Sequence, residues 1–331
     1  MRIIFNLINC GLGNNGGSQT LVKSANILQL LGHEVIIIDS MDIKYTWDKL
    51  EVPHLIIKNL KNVPNADVVI ATGYKTVSPT LDLPNRCGIK CHWIRGWETW
   101  QIPENKIVEK ILKVPTIKFV NGKRLYNKLK YFNIDSTIIR PGVDSDLYYK
   151  INSKTKKQFV IGGLYNIKHK SKNTQMILDL AKKLQFSSVS QTLLFMYGTH
   201  PKPNNKLIDH YVQNPSHKEK NKLYNSCDLW VAPTINDSLH IPPMEAMLTG
   251  CPVVGFKGDN GGMSDYLIDN FNGFTVESFS EMEDLIFSLC YNDGRRKLME
   301  MSKNCRDYIL KNIGDRKNNM ENFIKILENN I

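Results

Sequence analysis

Asp237 and Glu245 are the two carboxylates around which the chemistry of this chain is organised. Seven residues separate them, Pro242 and Pro243 lie between, and an apolar helix-like run continues to Gly250. A strand-like CPVVGF segment follows, then the glycine pair Gly261 and Gly262. Glu245 is wedged between Met244 and Ala246–Met247, where a charge demands a partner. A carboxylate accepts two hydroxyl hydrogen bonds at once, which suits a ribose diol. A second ionisable group, His92, Arg95 and Glu98, ends the strand-like KCHWIR and stands among Trp97 and Trp100. Strand ends in open parallel sheets face the ligand crevice. His92 or Arg95 is therefore placed to touch a ligand there, and Glu98 to act as a base or to pair with a lysine. The tryptophans offer an acceptor platform or, equally, two core residues.

The elements that must position these groups alternate. RIIFNLINC, EVIIIDS, ADVVIATG, KCHWIR and TIKFVNG read as buried strands, with a helix over SQTLVKSANILQLLG closed by Gly32 and His33. Short apolar runs alternating with helices predict a parallel α/β sheet. The pattern breaks at STIIRPGVDSDLYYK and the polar SKTKKQ, then restarts with QFVIGGLYN, QTLLFMYG, DLWVAPT and CPVVGFKG. NTQMILDLAKKLQ reads as a helix with Asn173 as its N-cap, and EMEDLIFSLCYN as one punctuated by Asp293 and Gly294. This places a first Rossmann-like domain at 1–150, a second at 151–306, and a C-terminal helix at 307–331 packing back on the first.

At 331 residues, two domains of about 150 residues each are the natural division. Seven scattered cysteines and no signal-peptide pattern before the first strand suggest reduced thiols and a cytoplasmic home. Cys87, Cys91 and His92 lack the further ligands a metal cluster needs, so buried thiols are the expectation. The net charge of +11 gathers in lysine clusters at 106–130, 154–157, 168–172 and 218–222. No nucleic-acid-binding signature accompanies it, whereas an anionic membrane surface or a diphosphate substrate fits. No apolar run approaches the roughly 20 residues of a spanning helix. Peripheral attachment at the inner face of a membrane is the accompanying expectation.

Gly11, Gly13 and Gly16 form a literal GxGxxG between a strand and a helix, and Asp39 ends the next strand. That layout allows an NAD-dependent oxidoreductase, with Asp39 on the ribose. Against it stand the extra Gly17 at the helix start and the lack of a His or Tyr-Lys proton relay in the second half. Asp144 and Asp146 look like a metal-binding DxD but sit in RPGVDSDLY, read here as a structural turn.

The Asp237–Glu277 block resembles the signature of the retaining GT-B glycosyltransferases of family 4, and three earlier segments follow that family in order. These are Gly16–Gly17 with a helix and then GHEV, the PGVD junction, and the basic loop IGGLYNIKHKSKN. The resemblance implies a GT-B fold, two Rossmann-like domains facing across a cleft. It implies a metal-independent, retaining transfer of a hexose from a nucleoside diphosphate sugar to a glycan, glycolipid or similar acceptor, with no resident cofactor. Glu245 matches the second Glu of the family's E-x7-E motif, which holds the ribose. Asp237 takes the place of the first, which contacts the transferred sugar, and is shorter by one methylene. Gly16 and Gly17 are expected near donor phosphate or sugar, as are Gly261 and Gly262 in a GGxxE-like element ending in Asp265. His240 stands where the family has Gly, and Gly163 where it has a phosphate-binding Arg. Lys168 and Lys172 are the candidates to replace that Arg, with a solvated basic loop as the alternative. A non-catalytic sugar-nucleotide-binding subunit of the same fold is the remaining reading.

Overall fold

The computed structural model describes residues 1–99, 101–151, 158–187, 192–258 and 261–330. The chain divides into two units, Met1–Gly142 with Arg316–Ile331, and Val143–Asp315. Each is built on a parallel sheet, the two-domain Rossmann-like plan of GT-B proteins.

In the first unit β1 (Arg2–Asn6), β2 (Glu34–Asp39), β3 (His54–Ile56), β4 (Val68–Ala71), β5 (Ile89–Ile94), β6 (Ile117–Val120) and β7 (Thr137–Ile138) pair in the order β3-β2-β1-β4-β5-β6-β7. Every pairing is parallel, so the crossovers return over both faces and the strands read as near-continuous apolar runs. The order reverses between β1 and β4, which puts the loops after β1, β4 and β5 at one sheet edge. Helix α1 (Gly16–Leu30) opens at Asn15, whose side chain accepts from Ser18 N–H at 2.9 Å. It closes where His33 N–H reaches Leu28 O and Gly32 N–H reaches Gln29 O, a Schellman ending. Leu21, Val22, Ala25 and Leu28 are its buried face. Further along come α2 (Tyr74–Leu81), α3 (Glu104–Ile107) and α4 (Lys123–Tyr131).

In the second unit β8 (Phe159–Tyr165), β9 (Thr192–Gly198), β10 (His210–Gln213), β11 (Leu229–Ala232), β12 (Val253–Phe256) and β13 (Gly273–Val276) pair as β10-β9-β8-β11-β12-β13. The order repeats that of the first unit, with its switch point between β8 and β11. Around the sheet run α5 (Thr174–Phe186), α6 (His217–Ser226), α7 (Ile241–Leu248), α8 (Phe279–Leu289) and α9 (Asn292–Asn312). Alternation along β8 sends Phe159 and Ile161 to one apolar cluster with α5, and Val160 to another with Trp230 and Met244.

Three local expectations need correction. Residues 143–150, assigned by sequence to the first domain, fold with the second: Tyr148 is fully buried, edge-on to Tyr224, and Tyr149 N–H donates to Asn221. The helix expected through Asn292 ends at Leu289, because Tyr291 takes an extended backbone and α9 opens behind it, with Asp293 and Gly294 in its first turn. α9 then continues past position 306, with Ile309 and Ile313 in the second unit's core. The chain rejoins the first unit at α10 (Arg316–Glu328), where Phe323 packs 5.5 Å from Trp93 and 5.1 Å from Phe119. Burying a side chain of this size contributes about 1.5–3 kcal/mol. Most of the polar SKTKKQ segment lies outside the described residues.

Candidate functional site

The loops after β8, β11 and β12 bring the second unit's candidates together. Lys172 follows β8, and its ammonium pairs with the Asp237 carboxylate in the loop after β11. Asn173, expected as the cap of α5, holds a left-handed backbone at the cap position but makes no capping bond; its amide donates to Pro233 O at 2.7 Å. Ile235 N–H donates to Ser171 O at 2.8 Å. These two bonds tie the basic loop to the carboxylate loop, so Lys172 meets Asp237 by construction.

The third loop closes on the same point. Gly262 has φ +69°, and a Cβ there would lie 2.9 Å from the Asp237 carbonyl carbon and oxygen, so only glycine fits under Asp237. Its carbonyl accepts His240 N–H at 3.1 Å, and the His240 carbonyl accepts the Tyr266 hydroxyl at 2.7 Å. His240 is 3% exposed, with Nε2 3.9 Å from Asp237 Oδ2. Burial, and then the Lys172 charge, push its imidazole down to about 3, so the ring is neutral.

α7 begins immediately after His240. Pro242 and Pro243 suit its first turn, where N–H groups lack helical partners, but they also remove two donors from the helix end. An anion at this edge depends correspondingly more on lysines. Lys168 and Lys170 are exposed in the preceding loop, while Lys172 is part-buried. Position 163 is not an open seat for an arginine. It lies inside β8, and a Cβ there would stand 2.9 Å from Ile177 Cδ1.

Glu245, one turn into α7, is 5% exposed. Both its oxygens lie 3.0 Å from Lys220 Nζ, and one accepts the Tyr224 hydroxyl at 2.7 Å. Lys220 and Tyr224 stand four apart on α6, hence on one face. That helix is fixed by a capping box between Ser216 and Glu219. The Lys220 ammonium also lies 5.1 Å from the centre of the Tyr148 ring, and Tyr197 bonds Tyr224 at 2.8 Å. Burial, then Glu245, push the Tyr148, Tyr197 and Tyr224 hydroxyls upward, so all remain protonated donors. In the sequence Lys220 stands only among clustered lysines, and its i, i+4 spacing to Tyr224 is the signal that singles it out.

The first unit's edge is built differently. Gly16 and Gly17 open α1 and are exposed. Arg95, just beyond β5, donates to Gly17 O, and to Thr72 O at 3.1 Å. Glu98 accepts Tyr74 N–H at 2.6 Å at the start of α2, and burial raises its carboxyl. His92 does not join them. It lies within β5 at 2% exposure, and burial lowers it to about 3, so it is a neutral interior residue rather than a group at the strand end. Trp97 is not a free platform: it donates to Glu104 at 2.8 Å, stacks on Phe132 at 5.9 Å and carries Lys128 5.1 Å from its ring centre. Trp100 lies outside the described residues, as does Asn260 before the glycine pair.

Asp39 is not available to a ribose. It is fully buried, and its carboxylate accepts N–H from Leu12, Ser40 and Met41, holding the glycine loop in place. Cys87 and Cys91 are likewise buried. Residues 145–147 form a turn, with Ser145 Oγ bonded to Asp315 at 2.5 Å. No described helix is long and apolar enough to cross a membrane.

Residues 144–308, nearly the whole second unit, match the family described as Glycosyl transferases group 1. No curated protein matches the chain. Among solved structures, sucrose-phosphate synthase from Thermosynechococcus elongatus superposes with TM-score 0.80 at 12% identity, over 99% of this chain and 98% of that one. Anabaena Alr3699/HepE in complex with UDP-glucose gives 0.77 at 14%, over 99% and 100%. WaaG, a glycosyltransferase involved in lipopolysaccharide biosynthesis, gives 0.70 at 16%, over 98% and 99%. The shared feature is the fold; the family match locates a glycosyl transferases group 1 domain in the second unit.

Proposed function

We propose that this protein is a retaining hexosyltransferase that moves a sugar from a nucleoside diphosphate sugar to a glycan, glycolipid or similar acceptor without a metal ion. The observation that carries the reading is the Lys172–Asp237 pair, set by three loops over Gly262 at the switch edge of a glycosyl transferases group 1 domain. Asp237 supplies acceptors for sugar hydroxyls. Lys168, Lys170 and Lys172 supply the positive charge that a departing diphosphate requires, at a helix end that two prolines have deprived of donors. Glu245, held rigid by Lys220 and Tyr224, keeps lone pairs for a ribose diol. UDP-glucose bound to HepE, a protein of the same fold, supports a sugar nucleotide as donor.

Arg95 and Glu98 serve the acceptor side, Arg95 by shaping the Gly17 turn and Glu98 by standing against Gly73 at the start of α2. The role of WaaG in lipopolysaccharide assembly supports a glycolipid acceptor. The charge distribution agrees. The first unit has 22 Lys and Arg against 13 Asp and Glu, the second 21 against 19, so +9 of the net +11 sits in the first. A cytoplasmic protein resting peripherally on an anionic membrane surface fits this asymmetry.

The test is calorimetric titration with UDP-, GDP- and dTDP-sugars beside NAD, followed by turnover with EDTA and with Mn²⁺. One sugar nucleotide should bind, NAD should not, the product should keep the donor's anomeric configuration, and EDTA should leave the rate unchanged. Binding of NAD alone, an inverted product, or activity lost to EDTA and restored by Mn²⁺ overturns the reading. Binding without turnover across acceptors assigns a non-catalytic binding subunit.

A further inference from the structure

His240 is the described residue whose two side-chain nitrogens are both buried without a hydrogen-bond partner. An interior histidine kept only for packing ordinarily finds at least one partner, because each unpaired buried polar group costs about 1–3 kcal/mol. Here the backbone on both sides is fixed by Gly262 and Tyr266, so the ring is held in place rather than left over by a loose loop. The charged pair next to it is more open: the Asp237 side chain is 25% exposed and Lys172 18%, against 3% for His240. The imidazole therefore forms the floor beneath a partly open carboxylate. Since burial keeps it neutral, one nitrogen donates and the other accepts.

The gap between Nε2 and Asp237 Oδ2 is 3.9 Å, too long for a direct bond. A single hydroxyl about 2.8 Å from each spans that distance. A phosphate does not suit the position, because its oxygens would face the Asp237 carboxylate. A hydroxyl does, donating to the carboxylate while accepting from the ring, or the reverse. Lys172 now occupies the same Asp237 oxygen. A hydroxyl that replaces its ammonium there comes within reach of Nε2 and frees the lysine for a diphosphate. From this geometry we infer that His240 is a specificity-determining residue, its imidazole hydrogen-bonding a hydroxyl of the donor's sugar jointly with Asp237. The inference rests on the donor reading above and adds the group that selects the sugar.

The experiment measures affinity for UDP and UDP-glucose, with GDP and GDP-mannose as a second pair, on wild type, His240→Phe and His240→Asn. His240→Phe keeps a ring and removes both nitrogens. It should weaken the sugar-bearing nucleotide about tenfold and leave the bare diphosphate within twofold, and His240→Asn should recover part of the loss. Equal loss for both nucleotides makes His240 a packing residue and overturns the inference, as does no loss for either. Thermal unfolding checks that the variants fold. Should the phenylalanine variant fail to fold, wild type is titrated with the bound donor's deoxy-sugar analogues, and one hydroxyl should account for about tenfold in affinity. That loss should shrink in His240→Asn; a deoxy series flat in wild type, or unchanged by the substitution, also overturns the proposal. If wild type binds none of the four nucleotides and no dTDP-sugar either, the donor reading fails with it. If wild type binds them and His240→Phe does not discriminate, only the inference fails.

Discussion

Two sheets of the same strand order present the same edge to their surroundings, yet their charged side chains answer to different partners. In the first unit Arg95 is directed at the carbonyls of Gly17 and Thr72, and Glu98 takes the amide of Tyr74. Both charges there are bonded to backbone groups. In the second unit Lys172 meets Asp237, and Lys220 meets Glu245. A charge spent on a backbone group shapes a loop, while a carboxylate paired with a lysine can exchange that partner for a ligand. Burial sorts the second unit's pairs further. Lys220 and Glu245 are nearly sealed, at 10% and 6% side-chain exposure, whereas Lys172 and Asp237 remain partly open. The open pair is therefore the one that can exchange its partner, while the sealed pair keeps its lysine and holds Glu245 in place with its remaining lone pairs.

The largest effect expected from breaking this contrast comes from the sealed pair. Glu245→Ala leaves the Lys220 ammonium buried without its carboxylate and should destabilise the second unit by about 3–5 kcal/mol in urea unfolding. Glu245→Leu combined with Lys220→Met should regain most of that stability, since apolar replacements of a buried pair are often neutral, but should not bind donor. Lys172→Ala, at the open pair, should cost less than about 1 kcal/mol of stability and still weaken donor binding. Equal stability losses at the two pairs would erase the division between the sealed pair and the exchangeable one.

Much of this contrast was legible in the sequence, for identifiable reasons. Apolar strands alternating with helices announced both sheets because each sheet is covered on two faces. The Asp237–Glu245 spacing and Gly262 were visible because chemistry and backbone restrict them locally. What escaped were partners chosen across the fold. Glu245 needed a cation, but nothing near it in sequence says that the cation is Lys220, 25 residues earlier on another helix. Asn173 has the right residue type for a cap, and tertiary structure uses its amide on Pro233 instead. Asp39 sits where a ribose carboxylate would be expected, and the loop it holds consumes its acceptors. Polar side chains have several acceptable partners, and sequence shows only the near ones.

A smaller effect compares the two interior histidines, His92 in the first unit and His240 in the second. Burial, the largest cause in each, lowers both to about 3 in the folded protein, against an ordinary value of 6.5. Below pH 6.5 the unfolded chain binds a proton that the folded ring refuses. Stability is therefore complete above that pH and falls as the pH drops toward 3. Each histidine should cost about 1.4 kcal/mol per pH unit, hence about 2 kcal/mol at pH 5. Urea unfolding between pH 5 and 7.5 should show the dependence in both units, with His92→Asn removing it from the first and His240→Asn from the second. A pH-independent second unit would mean that His240 takes up its proton in the fold as readily as in the unfolded chain, and the neutral floor beneath Asp237 would not hold at low pH.

The smallest effect concerns surface charge rather than either carboxylate pair. Residues 104–131 hold eight basic side chains against two acidic ones, and exposed Lys106, Lys110 and Lys130 lie in this stretch, with Tyr131 77% exposed beside them. The second unit also has exposed lysines, Lys206 among them, but its acidic residues nearly balance them. An anionic surface responds to local excess charge within a Debye length, so the two units should differ even for the same substitution. Lys130→Ser should weaken binding to phosphatidylglycerol-containing vesicles about fivefold at low salt, the effect of one basic residue near such a surface. Lys206→Ser should leave binding unchanged. Both differences should fade as salt is raised, because the attraction is screened. Equal losses at the two positions would show that vesicles sense the net charge of the whole chain, and the basic first unit would have no face of its own to offer a membrane.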